Sequence, residues 1–128
     1  MRLEQKIISR LQAVYYLVTG LWPLIHIESF VNVSGPKTDL WLVKMVGLLT
    51  TSIAVSLWYI SAHHLKSALV LGVTAALSYI AVDVYYVLRD VIPPIYLADA
   101  VVEVLIIFFL FISRKKDDKL PLTPVNSR

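Results

Sequence analysis

Four long apolar stretches decide what this chain can fold into. They cover residues 9–31, 40–62, 66–88 and 95–113. Each is close to the ~20 residues that an α-helix needs to cross ~30 Å of hydrocarbon. With 58% hydrophobic and only 16% charged residues, the sequence lacks the polar surface of a soluble domain of this size. It therefore predicts an all-α polytopic membrane protein, in which residues 1–113 form an antiparallel bundle of four transmembrane helices.

Short polar segments separate the predicted spans. Gly35 and Pro36 break the helix after the first span, because neither residue continues a helix well. The connection SAHHLKS, residues 61–67, is so short that the second and third spans are predicted to form a tight hairpin. Residues 114–128 carry a charge run followed by a proline-containing segment, which predicts a basic, mobile tail.

The distribution of Lys and Arg predicts the orientation of the bundle. Nine of the twelve fall on one side of the predicted topology, in the amino-terminal segment, the 61–67 turn and the tail. Only Lys37, Lys44 and Arg89 fall on the other side. Because positive charge is retained in the cytoplasm, both termini are predicted to be cytoplasmic. The bias and the short loops are typical of a bacterial inner membrane, and the net charge reports orientation here rather than nucleic-acid binding.

The fourth span contains two carboxylates, Asp99 and Glu103, where hydrocarbon would be expected. They are four residues apart and so lie on one face of a helix. Counting helical rise places Glu103 about 12 Å below the outer interface, near the midplane. A charge facing lipid at that depth costs several kcal/mol, and this side chain is too short to reach the interface. Glu103 is therefore predicted to face the interior of the bundle.

Polar and aromatic side chains in the outer half of every span suggest that this interior is a cavity. The candidate ligand-binding residues are Glu103, Asp99, Asp83, Lys44, Tyr79, Tyr86 and His26. Glu103 and Asp99 are the expected polar anchors, Asp83 and Lys44 the supporting charges, and the two tyrosines the aromatic wall. Since Lys44 is the only cation predicted inside the membrane, three carboxylates cannot all be ionised at little cost, and Glu103 is expected to be protonated near neutral pH. The alternative interpretation is that these polar groups only lock helices together.

Other kinds of site find little support in the sequence. The absence of cysteine excludes thiolate metal sites and thiol catalysis. His26 and Glu28 are two residues apart and diverge on a helix, while His63 and His64 lie in a turn, so no metal site is predicted. No nucleotide-binding, zinc-protease or nucleophile-elbow pattern is present.

Three segments resemble the DoxX-like group of small four-helix membrane proteins. They are DLWLVKMVGLL, residues 39–49, AALSYIAVD, residues 75–83, and ADAVVEVLIIFF, residues 98–109. In outline the chain is also similar to EXPERA bundles, which include sterol isomerases and lipid-binding receptors. The matching marks are Lys44 with Gly47 and the acid Glu103. The first resemblance implies a link to quinone-coupled complexes, and the second implies an intramembrane acid that faces a ligand cavity.

These observations lead to one main functional hypothesis and two alternatives. The main hypothesis is a binding protein whose outward-opening acidic and aromatic cavity holds a lipophilic ligand, either cationic or quinone-like. The first alternative is a structural or accessory subunit of a larger membrane complex, or of a homo-oligomer. The second is a membrane enzyme that uses Glu103 as acid and base on a lipid-soluble substrate. No cofactor is predicted, although a quinone or a lipid would suit the cavity.

Overall fold

The part of the chain that the structure describes contains helices and the short connections between them. In a computed structural model, residues 2–118 are described, with side chains described for residues 3–113. The helices in this part are α1 (Arg2–Ile25), α2 (Ile27–Ser34), α3 (Leu40–His63), α4 (Leu65–Leu88) and α5 (Tyr96–Asp118). Residues 2–118 contain no strand, which confirms the all-α prediction.

Three of the helices are long and apolar enough to cross a membrane. They are α3, α4 and the Tyr96–Ser113 part of α5, and the number rises to four if α1 and α2 together count as one span. Each of the three begins within one residue of its predicted position. The predicted tail, residues 114–128, begins inside α5, and residues 119–128 lie outside the described part. The chain is thus a helical membrane protein.

The first predicted span, residues 9–31, is wrong as a continuous helix. The chain bends by 113° between α1 and α2, at His26. The His26 imidazole accepts a hydrogen bond from the backbone N–H of Ser29 at 3.1 Å and so caps the start of α2. The Ser29 hydroxyl donates to the His26 carbonyl at 3.1 Å and accepts the Trp22 indole N–H at 2.8 Å. Local side-chain hydrogen bonds therefore replace helical ones at a point where His26, Glu28 and Ser29 interrupt the apolar stretch.

Helix α1 lies at the centre of the molecule. It packs most extensively against α3, and it also contacts α4 and α5, which form the second large helix pair. Two glycines allow α1 and α3 to approach closely, since a Cβ at Gly47 would lie 2.6 Å from the Gly20 carbonyl oxygen. Small residues at crossings are typical of membrane helices, where close backbone packing replaces the hydrophobic effect.

The two faces of α1 have the opposite polarity to those of a helix in a soluble protein. Its exposed face is apolar and comprises Leu3, Ile7, Leu11, Val14 and Val18. Its buried face is polar and comprises Gln5, Ser9, Gln12 and Tyr16. This polar face and the charged residues Arg2, Glu4, Lys6 and Arg10 together lower the mean hydropathy of α1, so α1 is less apolar than α3, α4 and α5 although its outer face suits lipid.

We predict that Gly47→Ala destabilises the fold. In a helix interior this change ordinarily stabilises by about 1 kcal/mol. Here the new methyl group would collide with the backbone of α1, so a net loss of about 1–3 kcal/mol is expected. Thermal unfolding of purified protein in detergent measures the effect. Ser52→Ala, on the exposed face of the same helix, is the matched control and should change stability by less than about 0.5 kcal/mol. A Gly47→Ala protein as stable as the control would contradict the close approach of the helices.

Candidate functional site

Glu103 is the centre of the candidate site. Its side chain is 0% exposed, although it lies in the middle of an apolar helix. One carboxyl oxygen, Oε2, accepts a hydrogen bond from the Tyr16 hydroxyl at 2.8 Å. The other, Oε1, is buried and has no hydrogen-bond partner among the described side chains. Glu103 therefore retains a free acceptor inside the protein.

Asp99 and Asp83 bring two more carboxyl groups to the same place. Asp99 lies one helical turn from Glu103, is half-buried, and accepts a hydrogen bond from the Tyr15 hydroxyl. Asp83, on α4, is only 4% exposed, and its carboxyl group is close enough to Asp99 and Glu103 to feel their charges. Neighbouring carboxyl groups are costly to ionise together. The pair of Asp83 and Asp99 is therefore suited to holding a proton.

Two hydroxyl groups complete the cluster on the side of α3 and α4. The Thr50 and Tyr79 hydroxyls are hydrogen-bonded, and the Tyr79 ring lies 5.2 Å from the Tyr16 ring, centroid to centroid. All four long helices thus contribute. We call this set the acidic cluster: Tyr15, Tyr16, Thr50, Tyr79, Asp83, Asp99 and Glu103.

Gln12 supports the cluster from the next turn of α1. Its Nε2 donates to the Gly72 carbonyl oxygen at 2.9 Å and to the Tyr16 hydroxyl at 3.1 Å. A backbone carbonyl can only accept, so this contact decides which end of the amide is the NH₂ group. Because the Tyr16 oxygen accepts from Gln12, its own hydrogen is directed to Glu103. Gly72 leaves space for the Gln12 side chain, since a Cβ at position 72 would lie 2.5 Å from Gln12 Oε1.

Four of the seven predicted site residues come together in the structure. Asp83, Asp99 and Glu103 supply the carboxyl groups of the acidic cluster, and Tyr79 supplies one of its hydroxyls. The depth argument that placed Glu103 in the interior agrees with its complete burial. Lys44, Tyr86 and His26 lie elsewhere.

Lys44 does not accompany the carboxylates as predicted. The buried face of α3 comprises Gly47, Thr50, Ala54, Leu57 and Ser61, and Lys44 lies about 100° around the helix from the middle of that face. Its side chain is exposed. Among the described residues, the charged and polar groups that act on Asp83 and Glu103 are carboxyl and tyrosine groups, with no cation among them.

Tyr86 and His26 also have other positions than predicted. Tyr86 is 41% exposed and packs edge-on against Tyr85, with 5.1 Å between ring centroids. It lies one turn beyond Asp83 on α4. His26 is exposed at the bend between α1 and α2, where its imidazole caps α2. Neither residue contributes to the acidic cluster.

The sequence reasoning missed Gln12 and Thr50 and did not place Tyr15 and Tyr16 in the site. A signal for the first helix was present. Gln5, Ser9, Gln12 and Tyr16 follow one another at intervals of four, three and four residues, which is the spacing of one helical face. Polar residues at that spacing in a lipid-facing segment predict an inward polar stripe.

Two cavities have been located in the described part of the chain, and neither is lined by a carboxylate. One, of about 300 Å³, lies beside α4 and α5, where Gln5, Val73 and Leu110 line it. The other, of about 350 Å³, lies between α1 and α3 next to Trp58. Glu103 and Asp83 are instead enclosed by packed side chains. Residues 2–118 also contain no group of three or more His, Asp and Glu side chains placed to hold a metal ion.

Comparisons of the chain with protein-family models, with curated proteins and with solved structures find no match. The resemblance to DoxX-like and EXPERA bundles therefore stays a prediction. The geometry of the acidic cluster is what bears on its chemistry.

We predict that Tyr16→Phe destabilises the protein through Glu103. The change removes the donor to a fully buried carboxyl group and the acceptor for Gln12, which should lower the free energy of unfolding by about 1–3 kcal/mol. Thermal unfolding in detergent measures it, with the exposed Tyr59→Phe as control. In a double-mutant cycle, Glu103→Leu should remove most of the effect of Tyr16→Phe, because the partner is gone. Additive losses would show that the hydrogen bond is not the cause.

Proposed function

We propose that the protein binds a lipophilic amine, carried as its cation, at the acidic cluster inside the membrane. One observation supports this above the others. Three carboxyl groups lie together among membrane-spanning helices, and within residues 3–113 no cation lies beside them and no group hydrogen-bonds to two of their buried oxygens, Glu103 Oε1 and Asp83 Oδ2. An ammonium group supplies both the missing charge and the missing donors.

The direction of the hydrogen bonds favours an amine over a quinone. The Tyr15 hydroxyl donates to Asp99 and the Tyr16 hydroxyl donates to Glu103, so these two donors are already used. The groups that remain free are carboxyl oxygens, which are acceptors when ionised. A quinone offers only carbonyl acceptors. A ligand with N–H donors is the better complement to this site.

The partial exposure of Asp99 supports a route for the ligand. Asp99 is half-buried, whereas Glu103, about 6 Å further along the helix, is fully enclosed. The cation meets Asp99 first and reaches Glu103 when the side chains around it move apart. The apolar part of the ligand then lies between the helices, among the rings of Tyr15, Tyr16 and Tyr79. The proposed arrangement resembles that of EXPERA bundles, in which an intramembrane acid faces a ligand cavity.

We further propose that the protein forms a bundle of four antiparallel spans, with α1 as the first. Contacts along α1 support it: Gly20 lies against Gly47, whereas Arg10, ten residues earlier, stacks on Trp58 at 4.5 Å. Residue numbers thus rise on α1 as they fall on α3, which is the antiparallel arrangement. Tyr15 with Asp99, and Gln5 with Leu110, give the same relation to α5. The distribution of Lys and Arg supports cytoplasmic termini, in a bacterial inner membrane.

A lipophilic primary amine should stabilise the purified protein. The probe is 1-aminoadamantane, and 1-adamantanol is its uncharged counterpart of nearly the same shape. At a concentration one hundred times its Kd, a ligand that binds only the folded state stabilises it by about 2.7 kcal/mol. We expect the amine, and not the alcohol, to raise the Tm in detergent. Ubiquinone-1 is tested in parallel as an acceptor-only ligand.

Variants of the carboxyl groups test where the amine binds. Glu103→Gln should fold but lose most of the amine-dependent rise in Tm, whereas Glu28→Gln, on the exposed side of α2, should keep it. A rise in Tm with ubiquinone-1 but not with the amine would show that the ligand is a quinone rather than an amine. No rise with either compound, together with a large loss of stability in Glu103→Gln, would favour a purely structural role in a larger complex.

A further inference from the structure

A file of buried polar side chains extends from the acidic cluster towards the amino-terminal end of α1. It comprises Tyr16, Gln12, Ser9 and Gln5. Ser9 and Gln12 are each 1% exposed. The four residues lie within twelve positions of α1, from Gln5 to Tyr16, which is about 16 Å along the helix axis. This is more than half of the ~30 Å hydrocarbon thickness. The acidic cluster therefore has a polar extension on the side opposite to Asp99.

Several atoms of this file have unused hydrogen-bonding capacity. Ser9 Oγ, Gln12 Oε1 and Glu103 Oε1 are all buried without a partner among the described side chains. A buried polar group left in this way destabilises the fold. An apolar residue at position 9 would avoid this loss of stability, and the outer face of α1 shows that such residues are available to this helix. Each of these atoms offers a lone pair and the serine also offers a hydrogen, which are the groups that a bridging water molecule requires.

The file reaches a different face of the molecule from Asp99. Gln5 lines the cavity of about 300 Å³ together with Val73 and Leu110. Glu103 is thus approached from one end through the half-buried Asp99 and from the other through Ser9 and Gln5. A polar lock between helices needs only the contacts around Glu103, and it gives no reason for polar side chains further along α1.

The groups around Glu103 are suited to moving protons. The titratable groups that face it are Tyr15 and Tyr16 on α1, Tyr79 and Asp83 on α4, and Asp99 on α5, while α3 contributes only the Thr50 hydroxyl. A hydroxyl group or a water molecule that accepts a proton on one side can release another on the opposite side. Chains of acids inside membrane proteins serve as proton relays for this reason.

We propose that this polar file is a proton path and that the protein conducts protons across the membrane through Glu103. A proton held by Asp99 and Asp83 passes to the Glu103 carboxylate and neutralises it. It leaves by transfer through water molecules beside Gln12 and the Ser9 hydroxyl to the Gln5 end. Each relay group returns to its first state after reorientation, so the only net change is the displacement of one proton and no redox partner is required. Gln12 is a positioning residue, because its amide directs the Tyr16 hydrogen to Glu103.

Proton flux into liposomes tests the proposal. Purified protein is reconstituted with a pH-sensitive dye inside, and a potassium gradient with valinomycin imposes the driving potential. We expect the unchanged protein to acidify or alkalinise the lumen, according to the sign of the potential, at least ten times faster than protein-free liposomes. Glu103→Gln should fall to the protein-free rate. Ser9→Ala should lower the rate at least tenfold, because it removes a relay hydroxyl from the file.

The controls separate loss of the path from loss of the fold. Ser9→Ala removes a hydroxyl that has no partner, so no protein hydrogen bond is lost, and its Tm should not fall. Ser52→Ala, on the exposed face of α3, should conduct as the unchanged protein does. Gln5→Leu is the second variant in the file and should also lower the rate. A folded Ser9→Ala protein with unchanged flux, or an unchanged protein with no flux above protein-free liposomes, would overturn the proposal.

The proton path shares Glu103 with the proposed amine site but does not depend on amine binding. The two can fail separately. Flux without any rise in Tm by 1-aminoadamantane would remove the binding function and support the path. A rise in Tm that Ser9→Ala retains, together with flux that Ser9→Ala leaves unchanged, would support binding and overturn the path.

Discussion

The enclosure of Glu103 is the constraint on which the rest of the structure depends. A carboxyl group near the middle of a membrane helix is far too costly to leave against lipid. It becomes tolerable only when the protein surrounds it and provides a donor, which Tyr16 does at 2.8 Å. That requirement fixes how α5 faces α1. It also brings Asp99, one turn earlier on the same face, to the hydroxyl of Tyr15.

A chain of hydrogen bonds then joins helices that have no hydrophobic reason to associate in lipid. The Gly72 carbonyl on α4 accepts from Gln12 on α1, Gln12 donates to Tyr16, and Tyr16 donates to Glu103 on α5. The Thr50 and Tyr79 hydroxyls join α3 to α4. Within a membrane such bonds and the close approach of small residues hold helices together. The residues that stabilise the bundle are therefore also those that surround the acid.

The depth of Glu103 in the membrane and the cost of exposing it to lipid could be predicted from the sequence. The rotation of each helix about its own axis could not. The position of Glu103 within an apolar stretch was enough to predict that it faces inward. Lys44 was misplaced because apolar and polar residues are spread around α3, so hydrophobicity does not show which face is buried. The buried face is marked instead by small residues, Gly47, Ala54 and Ser61. The bend at His26 was missed because its cause is a local capping interaction, and the polar residues that make it, His26 and Ser29, lie within a stretch that is still mostly apolar.

Helix α1 shows why average hydropathy conceals the most informative part of this chain. A mean over its residues combines an apolar face that suits lipid with a polar face that is buried, and the result resembles neither. Buried polar atoms without partners, such as Ser9 Oγ, reduce stability compared with an apolar core. Buried polar groups normally have hydrogen-bond partners, and exceptions are expected at sites where the function requires them. The least apolar of the long helices is thus the one whose side chains surround the buried acid and lead away from it.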